Sequence, residues 1–402
     1  MNLRKSFAAA AALAMALTGC VAAPSQAAGG VTITGAGSTF IQNYVEACAP
    51  GYHQATGNTV SYTGTGSGTG QSMFRSGTVD FAFSDSLMKV PANFAWEYIP
   101  MITGPVAVMF NLPGVKSVNM SQKTIAEVFA GKITKWNDPA IVADNKGKSI
   151  TTTIPVKAYK MVPLKKHGKL VKKHGKVVKT KKLVITYKTK TRTAAAVKLP
   201  NLPISVVYRS DGSGTSSLTT SFLAATSPSI WDKGGNQTFT AAFPGNMPND
   251  GTFQGVSGSS LVASTIVSKP GAIGYAELSY AKDSKLGTVA VRNAAGNYVG
   301  PTTAGSSSFF SNVTVLGKGE IEPNYQTKDP GAYGIAGWTY ALVRTDGKLP
   351  NGNADSAKIK AIQDWMTYLT QTCVPLQAEK NYYAGLPDQP LTVAKTNIAN
   401  LG

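Results

Sequence analysis

Three short segments rich in glycine, serine and threonine recur in the same local order along the chain, at 35–40, 64–70 and 209–215. Each follows an apolar stretch with the character of a β-strand: 31–34, 59–62 and 204–208. A helical pattern follows each turn. Repetition of strand, small-residue turn and helix predicts an α/β fold, in which ligands bind beyond the carboxyl ends of the strands.

The turns also carry a chemical implication. The first N–H groups of a helix have no partners within the helix and bear partial positive charge, so a strand-to-helix turn is a preformed anion site. Serine and threonine are also ordinary N-caps, which is the simpler interpretation of any one turn. Three such turns, together with Arg209 and Asp211 in the last of them, favour an oxyanion pocket.

The first twenty residues have the features of an export signal. Arg4 and Lys5 precede an apolar stretch at 8–17, which is too short to span a bilayer as a helix. The stretch ends in Leu-Thr-Gly-Cys, which resembles a bacterial lipobox and predicts lipidation of Cys20. A secretory signal cleaved near 25–27 is the alternative. Residues 21–30 are predicted to be a tether.

Two cysteines remain, Cys48 and Cys373. In an oxidising compartment a pair of cysteines is expected to form a disulfide, which here would tie the first helix to the C-terminal region. The chain has no Cys-x-x-Cys and no paired histidines, so neither a metal site nor a cofactor is predicted.

The basic charge is concentrated in one segment. The 402 residues have a formal charge of +19, but 151–200 holds 15 of the 39 Lys and Arg and no acidic residue, which leaves +4 elsewhere (24 basic, 20 acidic). Within it, KKHGKLV at 165–171 is repeated as KKHGKVV at 172–178. We interpret 148–199 as an inserted surface β-ribbon or a partly ordered loop.

This insertion has two functional interpretations. It could contact anionic cell-envelope polymers or lipid headgroups, or it could be a solvated, mobile loop. Its aromatic residues are limited to Tyr159 and Tyr187, so base stacking, and with it specific nucleic-acid binding, is not expected.

The order of elements resembles the phosphate-binding receptors of ABC importers, within the periplasmic-binding-protein family. The similarity runs from about residue 31 to the C-terminus, interrupted by the basic insertion. Its most specific motif is RSDGSGTS at 209–216. The other motifs that carry it are 34–40, 79–85, 131–136, 270–275 and 383–387.

The resemblance implies a role for each matching residue. Thr39 and Phe40 would bind phosphate through backbone N–H groups, with the Thr39 hydroxyl assisting, and Ser67 would donate at the second helix start. Arg209 would offer a guanidinium fork to two phosphate oxygens, held in place by Asp211. The cradle of the other lobe would be formed by Ser213, Gly214 and Thr215.

Asp85 is the unusual member of this set, because it is a carboxylate facing an anion. An ionised carboxylate only accepts hydrogen bonds, so it suits a ligand that carries a proton, as phosphate does and sulfate at neutral pH does not. Selection of phosphate over sulfate follows. A capping role for Asp85 is the alternative, and Thr69 could replace Ser67 as a donor.

The predicted fold is the two-lobed α/β fold of periplasmic binding proteins (type II), with the ligand in the cleft between the lobes. Lobe one would comprise 31–107 and 338–402, and lobe two 108–337, including the insertion. Closure around the ligand would be a hinge motion.

The function predicted from these features is that of a phosphate receptor, anchored by lipid to the outer face of the bacterial cytoplasmic membrane, which delivers phosphate to an ABC permease. The alternatives are a polyanion-binding or adhesion lipoprotein on the same fold, and a receptor for another oxyanion. An enzyme is not expected: a nucleophilic Ser213 would need a base, and His53 is the only histidine outside the basic repeat.

Overall fold

The computed structural model describes residues 30–401, except 148, 164, 167–168, 171 and 194–195. The predicted signal sequence, Cys20 and the tether up to residue 29 therefore lie outside the described residues. None of the helices within the described ranges is long and apolar enough to cross a membrane.

The strands of the described residues are β1 (Thr32–Gly37), β2 (Thr59–Gly64), β3 (Phe81–Ser84), β4 (Trp96–Phe110), β5 (Ser117–Met120), β6 (Ser149–Pro163), β7 (Lys165–Lys166), β8 (Lys169–Leu170), β9 (Lys172–Lys173), β10 (Lys176–Val177), β11 (Lys179–Thr193), β12 (Ser205–Arg209), β13 (Phe253–Val256), β14 (Ala272–Glu277), β15 (Gly287–Arg292), β16 (Tyr298–Val299), β17 (Thr314–Val315), β18 (Ile321–Glu322) and β19 (Ala336–Arg344).

The helices are α1 (Gln42–Thr56), α2 (Ser67–Arg75), α3 (Gln122–Phe129), α4 (Pro139–Asp144), α5 (Gly214–Thr226), α6 (Phe239–Ala242), α7 (Ser259–Ser268), α8 (Leu278–Asp283), α9 (Thr303–Phe310), α10 (Ser356–Thr367) and α11 (Asp388–Ala399). Two π-helical turns, Tyr368–Thr372 and Val374–Ala378, continue the path of α10.

The long strand β4 belongs to two groups of strands. Up to Pro105 it pairs with β19, and the order continues through β3 and β1 to β2, which we call the first half of the sheet. From Val106 onward it pairs with β14, followed by β12 and β13, and near its end also with β15; this is the second half. One continuous strand therefore connects the two halves.

Within each half, the strands that precede the small-residue turns run parallel to their neighbours. β1 is parallel to β2 and β3, and β12 is parallel to β13 and β14. Parallel neighbours end at the same edge of a sheet, so the turns after β1, β2 and β3 lie together, as do those after β12 and β13. The predicted α/β architecture is thus observed.

The central strands are buried along almost their whole length, as expected for strands covered by helices on both faces. All residues of β14, and all but one of β19, are buried. Most buried apolar side chains of both halves form one continuous cluster, which includes Phe40, Phe110 and Tyr383, and a smaller cluster around Met109 and Val207 lies in the second half. This shared core fixes the positions from which the turns project.

The basic insertion is a β-ribbon in the structure. β6 and β11 pair in antiparallel register from Ser149 opposite Thr193 to Pro163 opposite Lys179. Two short hairpins, β7 with β8 and β9 with β10, extend it at its far end. Of the two forms predicted for this segment, ribbon or loop, the backbone adopts the ribbon.

Cys48 of α1 and Cys373, which follows α10, form the predicted disulfide, with their Cα atoms 5.9 Å apart. The bridge joins residues 325 positions apart, and both cysteines are buried. It therefore closes almost the entire folded chain into one loop.

We expect the double variant Cys48→Ala, Cys373→Ala to lose about 2–5 kcal/mol of unfolding free energy, because the unfolded chain gains conformational freedom. Urea denaturation of oxidised and reduced protein measures this change. Reduction should lower the midpoint of the wild type and leave that of the double variant where it was. Equal midpoints for all four samples would contradict a stabilising disulfide.

Candidate functional site

The site is built where the turns of both sheet halves meet. From the first half come Thr39, Ser67 at the start of α2, and Asp85 directly after β3. From the second half come Arg209 at the end of β12 and the N-terminus of α5. The side chains of all four of these residues are buried.

Asp85 accepts hydrogen bonds from three hydroxyl groups. Ser38 and Thr339 each donate to its Oδ1 at 2.6 Å, and Ser67 Oγ lies 3.5 Å from Oδ2. The Asp85 N–H in turn donates to Ser67 Oγ at 3.1 Å. Burial raises the pKa of Asp85 to about 6, although these hydroxyls and the charge of Arg209 favour ionisation. Above that pH the site contains a buried carboxylate.

Arg209 is 2% exposed and is held from two sides. Its Nε and Nη2 donate to the Asp211 carboxylate, with Nε 2.6 Å from Oδ1. Its Nη1 donates to Thr39 Oγ1 at 3.0 Å and to Ser259 Oγ at 3.2 Å. Burial alone would raise the pKa of Asp211, but the hydrogen bonds and charge of Arg209 outweigh it, so that pKa lies below its ordinary value. The guanidinium is therefore fixed before any ligand arrives.

The start of α5 approaches the first half closely. A Cβ atom on Gly214 would lie 2.5 Å from Ser67 Oγ and 2.7 Å from Asp85 Cβ, so only glycine fits there. Ser213 caps the helix by accepting from the Ser216 N–H at 3.1 Å. The Thr215 hydroxyl is buried and has no hydrogen-bond partner among the described residues. A buried hydroxyl without a protein partner is available to a water molecule or a ligand atom.

Hydrogen bonds outside the pocket also join the two halves. The Gly68 N–H donates to the Gly212 carbonyl at 2.8 Å. Gln237 Nε2 donates to Gln71 Oε1 at 3.1 Å and to Ser86 Oγ at 2.8 Å. These contacts bring the turns after β2, β3 and β12 together.

Ser67 and Thr69, the two candidate donors that the sequence offered at the start of α2, differ in exposure. Ser67 is buried next to Asp85, whereas Thr69 is exposed. The Phe40 N–H donates to Ser38 Oγ at 3.0 Å, so its predicted role as a ligand donor stays a prediction. The Tyr383 hydroxyl donates to the Phe40 carbonyl and holds the same turn from the C-terminal segment.

Three residues of the site were missed by reasoning from the sequence: Ser38, Ser259 and Thr339. Ser259 starts α7 after Gly258, in a fourth turn of the same strand–glycine–serine–helix type, so the pattern could have revealed it. Ser38 lies inside a recognised turn, but nothing local indicated that its hydroxyl faces Asp85. Thr339 lies inside β19, 254 positions from Asp85, and has no local signal.

The nucleophilic arrangement considered for Ser213 is not present. His53 is exposed at the end of α1, where its Nδ1 lies 3.1 Å from the Asn58 carbonyl oxygen. Ser213 is buried at the start of α5 and is engaged with Ser216. The base and the hydroxyl therefore belong to different parts of the molecule.

A two-lobed α/β fold with polar helix starts facing one another between its halves defines a solute-binding protein. The model of the PBP superfamily domain matches residues 22–372, and the chain belongs to that family. The predicted family resemblance and fold class are confirmed.

Curated relatives support the same conclusion. The phosphate-binding protein PstS 3 of Mycobacterium tuberculosis is 29% identical over 359 residues, which cover 85% of this chain and 80% of that protein. The phosphate-binding protein PstS of Xylella fastidiosa is 26% identical over 362 residues, covering 89% and 82%. These relatives are solute-binding proteins and not enzymes, in agreement with the prediction.

Among solved structures, that of a high-affinity periplasmic phosphate-binding protein (PfluDING) bound with phosphate superimposes with a TM-score of 0.61. The two sequences are 21% identical, and the alignment covers 92% of this chain and 93% of that one. The likeness shows that the fold is shared.

Proposed function

We propose that this protein binds inorganic phosphate in the cleft between its lobes and delivers it to an ABC importer. The observation that carries the proposal is the presence of a buried arginine, Arg209, and a buried carboxylate, Asp85, at one site framed by helix N-termini. The arginine and the helix starts attract an oxyanion. The carboxylate requires that the oxyanion bring a proton of its own.

The donors and acceptors of the site match a protonated oxyanion. Arg209, the start of α5 and the free hydroxyl of Thr215 offer donors to several ligand oxygens. Asp85 is ionised above about pH 6 and can accept the P–O–H of phosphate. Sulfate has no proton to offer at that pH, so its oxygens would meet a buried carboxylate without a hydrogen bond.

Isothermal titration calorimetry with phosphate and sulfate tests the proposal directly. At pH 7.5 we expect saturable phosphate binding, and sulfate binding that is weaker by at least two orders of magnitude, because a buried unpaired charge costs several kcal/mol. Equal affinity for both anions would favour a receptor for another oxyanion. Absence of binding for either anion would favour an adhesion or polyanion-binding lipoprotein.

The pKa of Asp85 predicts how sulfate binding depends on pH. Below about pH 6 the neutral carboxyl group can donate a hydrogen bond to sulfate, so sulfate affinity should be highest there. Above pH 6 the fraction of neutral Asp85 falls tenfold per pH unit, and sulfate affinity should fall by up to the same factor. Calorimetry from pH 5 to 8 measures this slope, since sulfate stays doubly charged throughout.

The Asp85→Asn variant is the control, because it should bind sulfate with little pH dependence over this range. It retains Glu277, a buried acid whose pKa burial raises to about 8, and Tyr62, whose pKa burial raises well above its ordinary value. Any pH dependence that remains in the variant near pH 8 would therefore come from a group such as Glu277. An equal slope in wild type and variant would assign the pH dependence to another group.

The proposal includes the location and partners predicted from the sequence. Lipidation of Cys20 would hold the protein at the outer face of the cytoplasmic membrane, beside the permease and anionic polymers of the cell envelope. Mass spectrometry of the exported protein tests the anchor: a diacylated N-terminal Cys20 supports it, and an N-terminus near residue 28 contradicts it. Lobe boundaries near 107 and 337 are part of the proposal, and β4 and β19 are the connections that would bend.

A further inference from the structure

The phosphate site makes no use of the basic ribbon of β6 and β11. Each strand has 15 residues, so the paired part is roughly 50 Å long at about 3.3 Å per residue. Within the described residues, β6 and β11 form a two-stranded sheet of their own and pair with no other strand. Neither long edge of the ribbon is therefore paired with another strand of the described residues.

The ribbon carries positive charge with no internal counter-charge. The chain has no acidic residue between Asp144 and Asp211. A β-ribbon of lysines would ordinarily include glutamates or aspartates opposite them, because oppositely charged cross-strand pairs stabilise a sheet. The sequence of this insertion contains no acidic residue that could form such a pair.

The strand register also places some of these lysines directly opposite one another. It places Lys160 opposite Lys182 in the long ribbon, and the two repeats of KKHGK place Lys166 opposite Lys169 and Lys173 opposite Lys176. Like charges directly opposite one another destabilise an antiparallel pair. Three such pairs in the insertion carry a cost that a bound anion would relieve.

The turn of the second repeat fixes one of these pairs. His174 and Gly175 both have positive φ, 47° and 76°, as the two central residues of a tight hairpin turn require. The flanking Lys173 and Lys176 are exposed, as is Lys172. The repeated motif thus builds a lysine pair at a turn, held open to an external partner.

The distribution of these cations favours a linear partner over a flat one. Basic residues occur in both long strands and in the hairpins at their far end. Basic residues also run along most of the length of β11, from Lys179 to Arg192. A flat bilayer surface can contact only part of so long and narrow a ribbon, whereas a flexible chain can follow it along its length.

We propose that the ribbon, together with the hairpins β7–β8 and β9–β10 at its far end, is a docking surface for a linear, densely anionic polymer that lies along it and neutralises the opposed lysine pairs. Phosphate-containing and carboxylate-containing polymers share the chemistry that these lysines recognise. The inference extends the proposed location of the protein in the cell envelope, but it does not depend on phosphate binding in the cleft.

The test compares two variants with the same change in charge. In the ribbon variant, Lys166, Lys169, Lys173 and Lys176 are replaced by glutamine. In the control variant, four exposed lysines elsewhere are replaced by glutamine: Lys233, Lys348, Lys380 and Lys395. Binding of long-chain inorganic polyphosphate and of poly-glutamate to the full chain is measured by fluorescence anisotropy at several salt concentrations.

We expect the ribbon variant to bind both polymers at least tenfold more weakly than wild type, and the control variant to stay within threefold. The salt dependence should also become shallower in the ribbon variant alone, because fewer counterions are released. Binding of only one polymer narrows the partner to phosphate or carboxylate chains. Equal losses in both variants, or no polymer binding by wild type, would overturn the proposal.

Vesicles containing anionic lipid form a third arm. Leu170 and Val177 of the ribbon are exposed, and insertion of such residues into a bilayer is the competing explanation. Vesicle binding that depends on the ribbon and exceeds polymer binding would replace the polymer with a membrane surface. Phosphate calorimetry on the ribbon variant, and polymer binding by Arg209→Ala, separate failure of this proposal from failure of the phosphate site.

Discussion

Replacement of Arg209 by alanine is expected to weaken phosphate binding more than any other single change, by roughly 3 kcal/mol or more than a hundredfold. The variant loses the charged fork and leaves the partly buried Asp211 carboxylate without its partner. It also releases Thr39 and Ser259, which Arg209 joins across the cleft. Calorimetric titration with phosphate at pH 7.5 measures the loss.

The chain contains a matched control for this experiment. Arg344 and Asp346 have the same spacing and the same forked hydrogen bonds as Arg209 and Asp211. Arg344 also stacks on Phe94, 4.5 Å from the ring centroid, and its hydrogen-bond partners, Asp346 and Leu349, are not residues of the proposed phosphate site. Arg344→Ala should therefore leave phosphate affinity unchanged. Wild-type affinity in Arg209→Ala, with the fold intact by circular dichroism, would remove Arg209 from the site.

Replacement of Asp85 by asparagine should have its largest effect on selectivity. An amide can both donate and accept, and the variant has one negative charge fewer in the cleft. The ratio of sulfate to phosphate affinity at pH 7.5 should therefore rise by tenfold or more, mainly through tighter sulfate binding. Titration of wild type and variant with both anions, at one ionic strength, gives this ratio.

Asp80→Asn is the corresponding control. Asp80 is also buried and ionic, but it pairs with Lys358 at 3.2 Å and accepts from the Thr34 N–H, away from the ligand-binding turns. Its replacement should lower stability without changing the selectivity ratio. If the ratio in Asp85→Asn equals that of wild type, Asp85 is a structural cap and the explanation of selectivity given above is wrong.

Much of the site could be predicted from the sequence because its parts are local. A glycine-rich turn between a strand and a helix can be recognised in a window of ten residues, and the turns at 35–40 and 209–215 contain Thr39, Arg209 and Ser213. The two-residue spacing of Arg209 and Asp211 is local as well, and the fork that joins them is present in the structure. Ser259 could have been found by the same pattern.

The chain's sequence by itself determined the α/β class, the glycines at the helix starts, the cysteine pair and the concentration of charge in 151–200, because each depends on residue type and short-range order.

Only the tertiary structure decided which hydroxyls face Asp85. Thr339 reaches it across 254 positions because β19 pairs with β3, and strand pairing at that distance leaves no trace in local sequence. The different exposure of Ser67 and Thr69 has the same origin. Both are polar residues of one turn, but packing against β3 and α5 buries Ser67 and leaves Thr69 exposed. The opposed lysine pairs likewise depend on register, which the pairing of whole strands fixes.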